Sequence, residues 1–445
     1  MIQQQQREPA SPHEATLDEV TLTPEQLALI YQVHQRLIQD IDVAALERQE
    51  PARARASIEA TVRALVNTMG NGLYGQTKEA VVKAVIDEAV ALGPIQPLID
   101  DESISEVMIN AADEVYFERD GVIFLSPFQF RDGGHIMRIV DRIIAPLGRR
   151  IDESSPYVDA RLPDGSRVNV VIPPLVPRSP TVTIRKFRPD MYTADDLIGN
   201  GTLTQWLADF LRACVRFRLN IVISGGTGTG KTTMLNCVSA FIPSSERVIT
   251  IEDPIELKLQ QKHVISMEAR PPNIEGRNQV SQRDLVRNAL RMRPDRILVG
   301  EVRGPEAFDM MQAMNTGHEG SLTTVHANSG RDALARIENM ILMAGLDLPV
   351  RSIREQVGSA LHLMVHLVRF SDGRRRVWSV SEITGMEGDV VTMQDIFRFQ
   401  QSGVDSDGRV QGSLDPTGIR PTFAETFERA GITFDWGALT LGSWR

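Results

Sequence analysis

Residues 220–238 read NIVISGGTGTGKTTMLNCV, and this stretch decides the fold. It holds an apolar run at 221–224, a loop over 225–232 that fits the pattern G-x-x-x-x-G-K-[ST], and the start of a helix at 233–238. The glycines let backbone N–H groups wrap around phosphate oxygens, where side chains would clash, and the helix adds the positive end of its dipole. Strand, loop and helix in this order predict an α/β domain that holds a phosphorylated ligand.

This loop, named the glycine loop below (225–232), supplies the candidate cofactor ligands. Lys231 adds a point charge between the β- and γ-phosphates of a nucleoside triphosphate, and the Thr232 hydroxyl suits Mg²⁺. We predict ATP and Mg²⁺ as the cofactors. The predicted cofactor-binding residues are Gly225, Gly226, Thr227, Gly228, Thr229, Gly230, Lys231, Thr232 and Thr233.

Two further predicted strands end in carboxylates. Glu252 and Asp253 follow the apolar run 248–251, and Glu301 follows the run 296–299 after one glycine. The carboxyl ends of parallel strands share one edge of a sheet, which places these groups beside the phosphates. We predict Glu301 and Asp253 as Mg²⁺ ligands beside Thr232, and Glu252 or Glu301 as the group that activates water. The sequence does not separate the roles of the two glutamates, and strand-end carboxylates also cap neighbouring elements.

His318 and His326 lie eight positions apart with a strand-like segment between them. This spacing does not fit the helical zinc motif, in which two histidines are four positions apart. We predict that His326 senses the γ-phosphate from a strand end and that His318 supports it. The alternative is that each is an ordinary structural histidine.

Composition excludes several classes of protein. The chain has 445 residues and a net charge of 48 − 58 = −10, which argues against bulk binding of nucleic acid or anionic lipid. The two cysteines, Cys214 and Cys237, exclude a disulfide framework. No apolar run approaches the roughly 18 residues of a membrane span, and the start of the chain has no signal-peptide pattern. We therefore predict an intracellular protein of roughly two to four domains.

Periodicity divides the chain into five stretches. Residues 1–22 are polar and predicted to be a disordered tail, and 23–91 are predicted to form a helical bundle that Thr23 and Pro24 open. The stretch 92–190 mixes helix and strand patterns, which predicts an α+β domain with a linker. The stretch 191–400 alternates strand and helix, which predicts a parallel sheet covered by helices. The last stretch is predicted to be a C-terminal tail, 401–445.

Four consecutive segments resemble the signatures of the type II/IV secretion superfamily ATPases. They are the Walker A loop 225–232, the aspartate box 250–257, the Walker B stretch 290–304 and the histidine box 317–329. The similarity covers roughly residues 90–400. Further segments resemble the Tad (tight adherence)/Flp pilus assembly branch, CpaF/TadA: 270–276, 312–318, 343–349 and 385–389.

The resemblance implies a RecA-like C-terminal ATPase domain behind an α+β N-terminal domain. It also implies a cytoplasmic homo-hexamer, peripheral at the inner membrane, that drives platform proteins of a pilus or secretion machine. Arginines of the N-terminal domain reach the phosphates in this family, and Arg167 and Arg185 match those positions, with Arg161 a weaker third. Without the resemblance, a surface salt bridge is the ordinary interpretation of each.

Arg283, Arg287 and Arg291 follow one another at helical i+4 spacing. We predict a structural role or a subunit boundary for this row, with a nucleic-acid contact as the alternative. Two other functions stay open beside the motor ATPase: a RecA-like nucleic-acid translocase and a nucleotide-gated scaffold that does not hydrolyse ATP.

Overall fold

The computed structural model describes residues 13–14, 22–40, 51–70, 72–119, 121–187, 192–272, 277–432 and 434. The chain divides into two units, Met1–Pro189 and Asp190–Arg445, and each is described here by itself. Most of the predicted tail 1–22 lies outside the described residues, although His13–Glu14 form a short strand, β1. Among the residues that the structure describes, no helix is long and apolar enough to cross a bilayer.

The N-terminal unit begins with three helices that share one apolar cluster. They are α1 Pro24–Asp40, α2 Pro51–Met69 and α3 Gly75–Val90. Thr23 caps α1, because its hydroxyl accepts from the Gln26 backbone N–H while the Gln26 side chain accepts from the Thr23 N–H. Val33 of α1, Val62 of α2 and Val85 of α3 are fully buried in the cluster. The predicted bundle is therefore present in this unit.

The same unit contains a seven-stranded sheet in the order β1-β4-β3-β2-β7-β6-β5. Its strands after β1 are β2 Ile104–Ala111, β3 Glu114–Arg119, β4 Val122–Leu125, β5 Tyr157–Arg161, β6 Arg167–Val171 and β7 Thr181–Arg185. Its helices are α4 Gln96–Asp100 and α5 Gly133–Ile144. Alternate strand residues such as Val168 and Ile184 are buried in one cluster with Ile136 and Ile139 of α5, so one face of the sheet packs and the other stays accessible.

The C-terminal unit is built on a nine-stranded sheet in the order β10-β9-β11-β12-β8-β13-β14-β15-β16. Its strands are β8 Ile221–Gly225, β9 Val248–Glu252, β10 Val264–Glu268, β11 Arg296–Val302, β12 Leu322–His326, β13 Leu363–Arg369, β14 Arg375–Glu387, β15 Val390–Val404 and β16 Val410–Pro416. Its helices are α6 Ala194–Gly199, α7 Gln205–Arg216, α8 Lys231–Ser239, α9 Gln282–Ala289, α10 Glu306–Asn315, α11 Gly330–Leu342, α12 Val350–Ala360 and α13 Ala424–Arg429.

Helices cover both faces of this sheet. Ile223 of β8 shares an apolar cluster with Leu235 of α8, whereas the adjacent Val222 belongs to a cluster with Met310 of α10. Strands β8 to β13 pair in parallel, as their continuous apolar runs predict. The fold class expected from the sequence, an α/β domain that follows a helical bundle and an α+β domain in the chain, is confirmed.

The antiparallel extension β14-β15-β16 was not predicted. β15 continues across residue 400, β16 follows within 410–416, and Phe427 of α13 is buried in the core beside α7. Residues 401–432 therefore belong to the folded C-terminal unit, which differs from the tail expected there. Their signal was weak because only alternate residues face the core while the exposed ones are polar and rich in glycine.

Candidate active site

The glycine loop joins β8 to α8 through a tight turn. Gly228 and Gly230 have φ angles of +70° and +91°, which L side chains rarely adopt. A side chain at Gly225 would collide with Thr229 Oγ1 at 2.5 Å and with the Leu367 carbonyl oxygen at 2.7 Å. α8 begins at Lys231, two residues earlier than expected, because Gly230 already serves as its N-cap. The first turn of α8 thus holds Lys231, Thr232 and the adjacent threonine against the loop.

Lys231 lies across the glycine loop. Its Nζ donates to the carbonyl oxygen of Gly226 at 2.9 Å, and the Thr229 hydroxyl donates to the same oxygen at 2.9 Å. Thr232 Oγ1 lies 3.4 Å from Glu256 Oε2 in the acidic segment after β9. The Thr232 hydroxyl therefore lies beside the acidic segment that follows β9.

Strand register brings the predicted acidic and imidazole groups to this edge of the sheet. Glu252 is the last residue of β9, Glu301 lies near the end of the neighbouring β11, and His326 ends β12 directly opposite Gly225 of β8. The four strands are adjacent and parallel, so their carboxyl ends lie side by side. The edge therefore combines the glycine loop with two glutamates and one histidine.

Glu252 is a buried carboxyl group with one occupied oxygen. Its side chain is almost fully buried, and Oε2 accepts the backbone N–H groups of Glu256 at 2.7 Å and Leu257 at 2.8 Å. Oε1 is buried and has no hydrogen-bond partner among the described residues. Burial raises the pKa of Glu252, although the two backbone bonds act in the opposite direction. A clamped carboxyl with one available oxygen is suited to accepting a proton.

Glu301 has a different environment because it forms an ion pair with Arg303. Arg303 donates through Nε at 3.0 Å and Nη2 at 2.6 Å to Oε2 of Glu301. Burial lowers the pKa of Arg303, but Glu301 and then Asp253 raise it above its usual value. Asp253 is exposed. No role was assigned to Arg303 from the sequence. It follows Glu301 by two residues, which is the spacing of side chains on one face of a strand and was the available signal for this contact.

The two histidines lie at opposite edges of the sheet. The pKa of His326 is lowered by burial first and then by the positive charges of Lys231 and Arg336, which disfavours the protonated imidazole. His318 precedes β12, whose first residue pairs with Ile221 at the amino edge. The structure therefore places His326, and not His318, with the glycine loop.

Arg375 of β14 supports the glycine loop and was not identified from the sequence. Its Nε donates to the carbonyl oxygen of Gly228 at 2.9 Å, while its own carbonyl accepts from the Thr202 hydroxyl at 2.9 Å. The only sequence signal is a run of arginines, 374–376, after an Asp-Gly turn. Such a run is ordinarily a solvated hairpin, and pairing of β13 with β8 is what places it beside the loop.

In the N-terminal unit, three arginines form one cross-strand row. Arg161 of β5 is opposite Arg167 of β6, which is opposite Arg185 of β7. Arg185 lies opposite Glu106 of β2, with 3.7 Å between Nε and Oε1. Like charges directly opposite one another are destabilising, so a bound anion would stabilise a row of this kind by offsetting the repulsion.

Two arginines of the row Arg283, Arg287 and Arg291 lie beside a carboxylate of the next helix. Arg283 of α9 lies 2.7 Å from Asp309 of α10, and Arg287 lies 3.9 Å from the same carboxylate. Arg291 is exposed after the end of α9. Two members of the row thus tie α9 to α10.

Comparisons with known proteins identify the family to which the chain is similar. The family model "Type II/IV secretion system protein" matches residues 88–410. A putative conjugal transfer protein of Mycobacterium tuberculosis is 34% identical over 317 residues, which are 70% of this chain and 90% of that protein. The type IV secretion system protein VirB11 of Bartonella henselae is 32% identical over 343 residues, 66% of this chain and 94% of its own. The crystal structure of the Brucella suis VirB11 ATPase with sulphate has 30% identity, covers 64% of this chain and 94% of its own, and has a TM-score of 0.36.

Proposed function

The chain belongs to the type II/IV secretion system protein family, and on that premise we propose that it is the hexameric motor of a Tad/Flp-type pilus or a related secretion machine. It is an ATP hydrolase of this family. One observation carries the proposal: four adjacent strand ends present the glycine loop with Lys231, the carboxyl groups of Glu252 and Glu301, and the imidazole of His326. This is the set of groups that phosphoryl transfer to water requires.

In the proposed reaction, Glu252 is the general base. The oxygen of the attacking water bonds to the γ-phosphorus while its proton passes to Oε1 of Glu252. The bond from the γ-phosphorus to the bridging oxygen breaks, and its electron pair stays on ADP. Lys231 and the loop amides neutralise the phosphate charge, and His326 donates to a γ-phosphate oxygen.

The donor set suits Mg²⁺, which takes one or two protein oxygens and relies on phosphates and water for the rest. We propose Thr232, Glu301 and Asp253 as its protein contacts, directly or through water. The ion would supply positive charge to the β- and γ-phosphate oxygens. The carboxylates and the Thr232 hydroxyl would hold it beside the glycine loop.

We propose that Arg167 and Arg185, with Arg161 beside them, supply further positive charge to the γ-phosphate, as the resemblance implies. The support is their alignment in one row, where repulsion between neighbours favours an anion. Loss of turnover with little loss of nucleotide affinity in Arg167→Ala and Arg185→Ala tests this assignment, and normal turnover would remove it.

The support for the Tad/Flp assignment is the set of sequence segments that resemble that branch, two of which border α12. Gly358 of α12 packs closely on Gly385, and Arg354 of the same helix donates to the carbonyl of Asp389. These contacts bring the segment 385–389 against α12, and the segment 343–349 directly precedes that helix in the chain. We propose inner-membrane platform proteins as partners and a cytoplasmic location.

Steady-state ATP hydrolysis by the purified chain tests the proposed activity. It is measured against Mg²⁺ and protein concentration, with Glu301→Gln as the impaired variant and the exposed Glu268→Gln as its matched control. A specific activity that rises with protein concentration, falls in Glu301→Gln and persists in Glu268→Gln supports an assembling motor. Absence of turnover at every concentration contradicts it, and stimulation by DNA would favour a nucleic-acid translocase.

The pilus assignment needs a separate measurement. The gene is deleted in its own bacterium, and surface pili are counted by electron microscopy after complementation with the native chain or with Lys231→Ala. Pili restored by the native chain alone support the assignment. Normal pili in the deletion strain contradict it while leaving the ATPase activity intact.

A further inference from the structure

Thr250 is a buried residue of β9 whose hydroxyl has no assigned role. It has no exposed surface, and its Oγ1 lacks a hydrogen-bond partner among the described residues. The other residues of this strand before Glu252 are the apolar Val248, Ile249 and Ile251. A buried polar atom without a partner is uncommon in folded proteins, so this hydroxyl calls for a physical explanation.

The hydroxyl faces the carboxyl group of Glu252. The two residues are two positions apart on one strand, which puts their side chains on the same face. Burial raises the pKa of Glu252, and the nearby Thr250 hydroxyl acts in the opposite direction, although no hydrogen bond of ordinary geometry joins the two side chains. Oε1 of Glu252 is the second buried atom without a partner at this place. Two orphaned oxygens, one with a proton to donate, thus lie side by side.

We propose that Thr250 is a positioning residue for hydrolysis, whose hydroxyl donates to Oε1 of Glu252 and orients that oxygen toward the attacking water. This inference rests on the proposed role of Glu252 as the general base. A hydroxyl is suited to the task because it donates to a carboxylate before proton transfer and accepts from the carboxylic acid afterwards. Valine has the same shape but does neither.

A structural role for Thr250 makes different predictions. If the residue only fills space in a strand, Thr250→Val replaces it with a side chain of nearly the same shape and leaves turnover unchanged. If it positions Glu252, Thr250→Val lowers kcat while the affinity for ATP stays near the native value, since the glycine loop is untouched. The effect then vanishes when Glu252 itself is replaced.

The experiment is a double-mutant cycle in the full chain. Thr250→Val and Glu252→Gln are made singly and together, and kcat and the dissociation constant of ATP are measured for each. We expect Thr250→Val to lower kcat about tenfold, a fraction of the roughly 100-fold or larger contribution of a general base, and to have no further effect in the Glu252→Gln background. Unchanged kcat in Thr250→Val, or an equal drop in both backgrounds, would overturn the proposal.

Two further variants separate the hydroxyl from packing. Thr323 of β12 is also fully buried, and its hydroxyl donates to the backbone carbonyl of Val299 and not to a carboxylate, so Thr323→Val is the matched control and keeps its kcat. If Thr250→Val does not fold, Thr250→Ser and Thr250→Ala are compared. A serine variant about fivefold faster than the alanine variant supports the proposal, and equal rates overturn it.

The same measurements distinguish the failure of the two proposals. Turnover that survives Glu252→Gln contradicts the proposed role of Glu252, and the assignment of Thr250 fails with it. Turnover that is lost in Glu252→Gln but native in Thr250→Val contradicts the positioning role alone.

Discussion

Arg296→Met tests how the C-terminal unit holds its site in place. Arg296 begins β11, the strand that carries Glu301, and its side chain is fully buried. Its Nε lies 2.5 Å from Glu246 Oε2, while Nη1 and Nη2 donate to the carbonyls of Gly320 at 3.1 Å and Val215 at 2.8 Å. One guanidinium group therefore joins β11 to three other segments at the amino edge of the sheet.

The structure sets the size of the expected effect. Removing one partner of a buried ion pair costs about 3–5 kcal/mol, because the other charge stays buried. Arg218 lies 3.3 Å from the same Glu246 carboxylate and remains in the variant, so we expect the lower end, about 3 kcal/mol. The comparison is Arg303→Met, in the same segment. Its ion pair with Glu301 is partly exposed to solvent and contributes about 0–1 kcal/mol.

Tryptophan fluorescence during urea unfolding isolates this unit. All four tryptophans follow residue 200: Trp206, Trp378, Trp436 and Trp444. With a urea dependence of about 3 kcal/mol/M, a loss of about 3 kcal/mol moves the midpoint down by about 1 M. A loss below about 1 kcal/mol, or one equal to that of Arg303→Met, would refute the argument that the buried guanidinium holds the edge together.

Three further predictions address the loop and the N-terminal unit. Lys231→Ala removes the ammonium group from the glycine loop, so ATP hydrolysis should vanish and affinity for a fluorescent nucleotide should fall roughly tenfold or more; an equal loss in the exposed Lys262→Ala would contradict this. Arg375→Ala removes the bond to Gly228 and should raise the dissociation constant of ATP roughly tenfold by calorimetry, and an unchanged constant would exclude a role in shaping the loop. Burial lowers the pKa of His34 below 6.5; burial raises the pKa of Glu88, but its bond to His135 and nearby cations lower it overall. Both groups bind more protons in the unfolded chain than in the folded one. The stability that they contribute is therefore present above pH 6.5 and is lost as the pH falls toward and below 4.5. Amide exchange in α1 and α3, corrected for its intrinsic rate, should accelerate over that window, and His34→Gln should remove the upper part of the dependence.

Local patterns predicted the parts of the fold that short-range physics determines. The cap at Thr23, the amphipathic α5 and the buried strand β8 each follow from neighbouring residues, and all three are present. The glycine loop was visible for the same reason, since its conformation is set by its own glycines.

The missing parts depend on contacts between distant residues. Arg375 and Gly228 are 147 positions apart, and only the pairing of β13 with β8 brings them together. The antiparallel strands were missed because nothing local tells a polar, glycine-rich strand on the rim of a sheet from a tail. The role of Arg303 was missed because it depends on where the guanidinium group lies relative to Glu301, and residue type does not reveal that position.

Residue type alone gave no way to separate Glu252 from Glu301, since both end apolar strands and both reach the same edge. Their surroundings separate them. Glu301 is 25% exposed and shares one oxygen with the two nitrogens of Arg303, so its charge is already engaged by a cation. Glu252 is 2% exposed, receives only backbone N–H groups on one oxygen, and keeps the other available. A carboxylate accepts a proton more readily when its charged form is poorly stabilised. Burial without a cationic partner makes the charged form of Glu252 less favourable, which suits it to act as a base. The same argument makes Glu301 the better partner for a cation, since its carboxylate already lies in a cation-binding geometry.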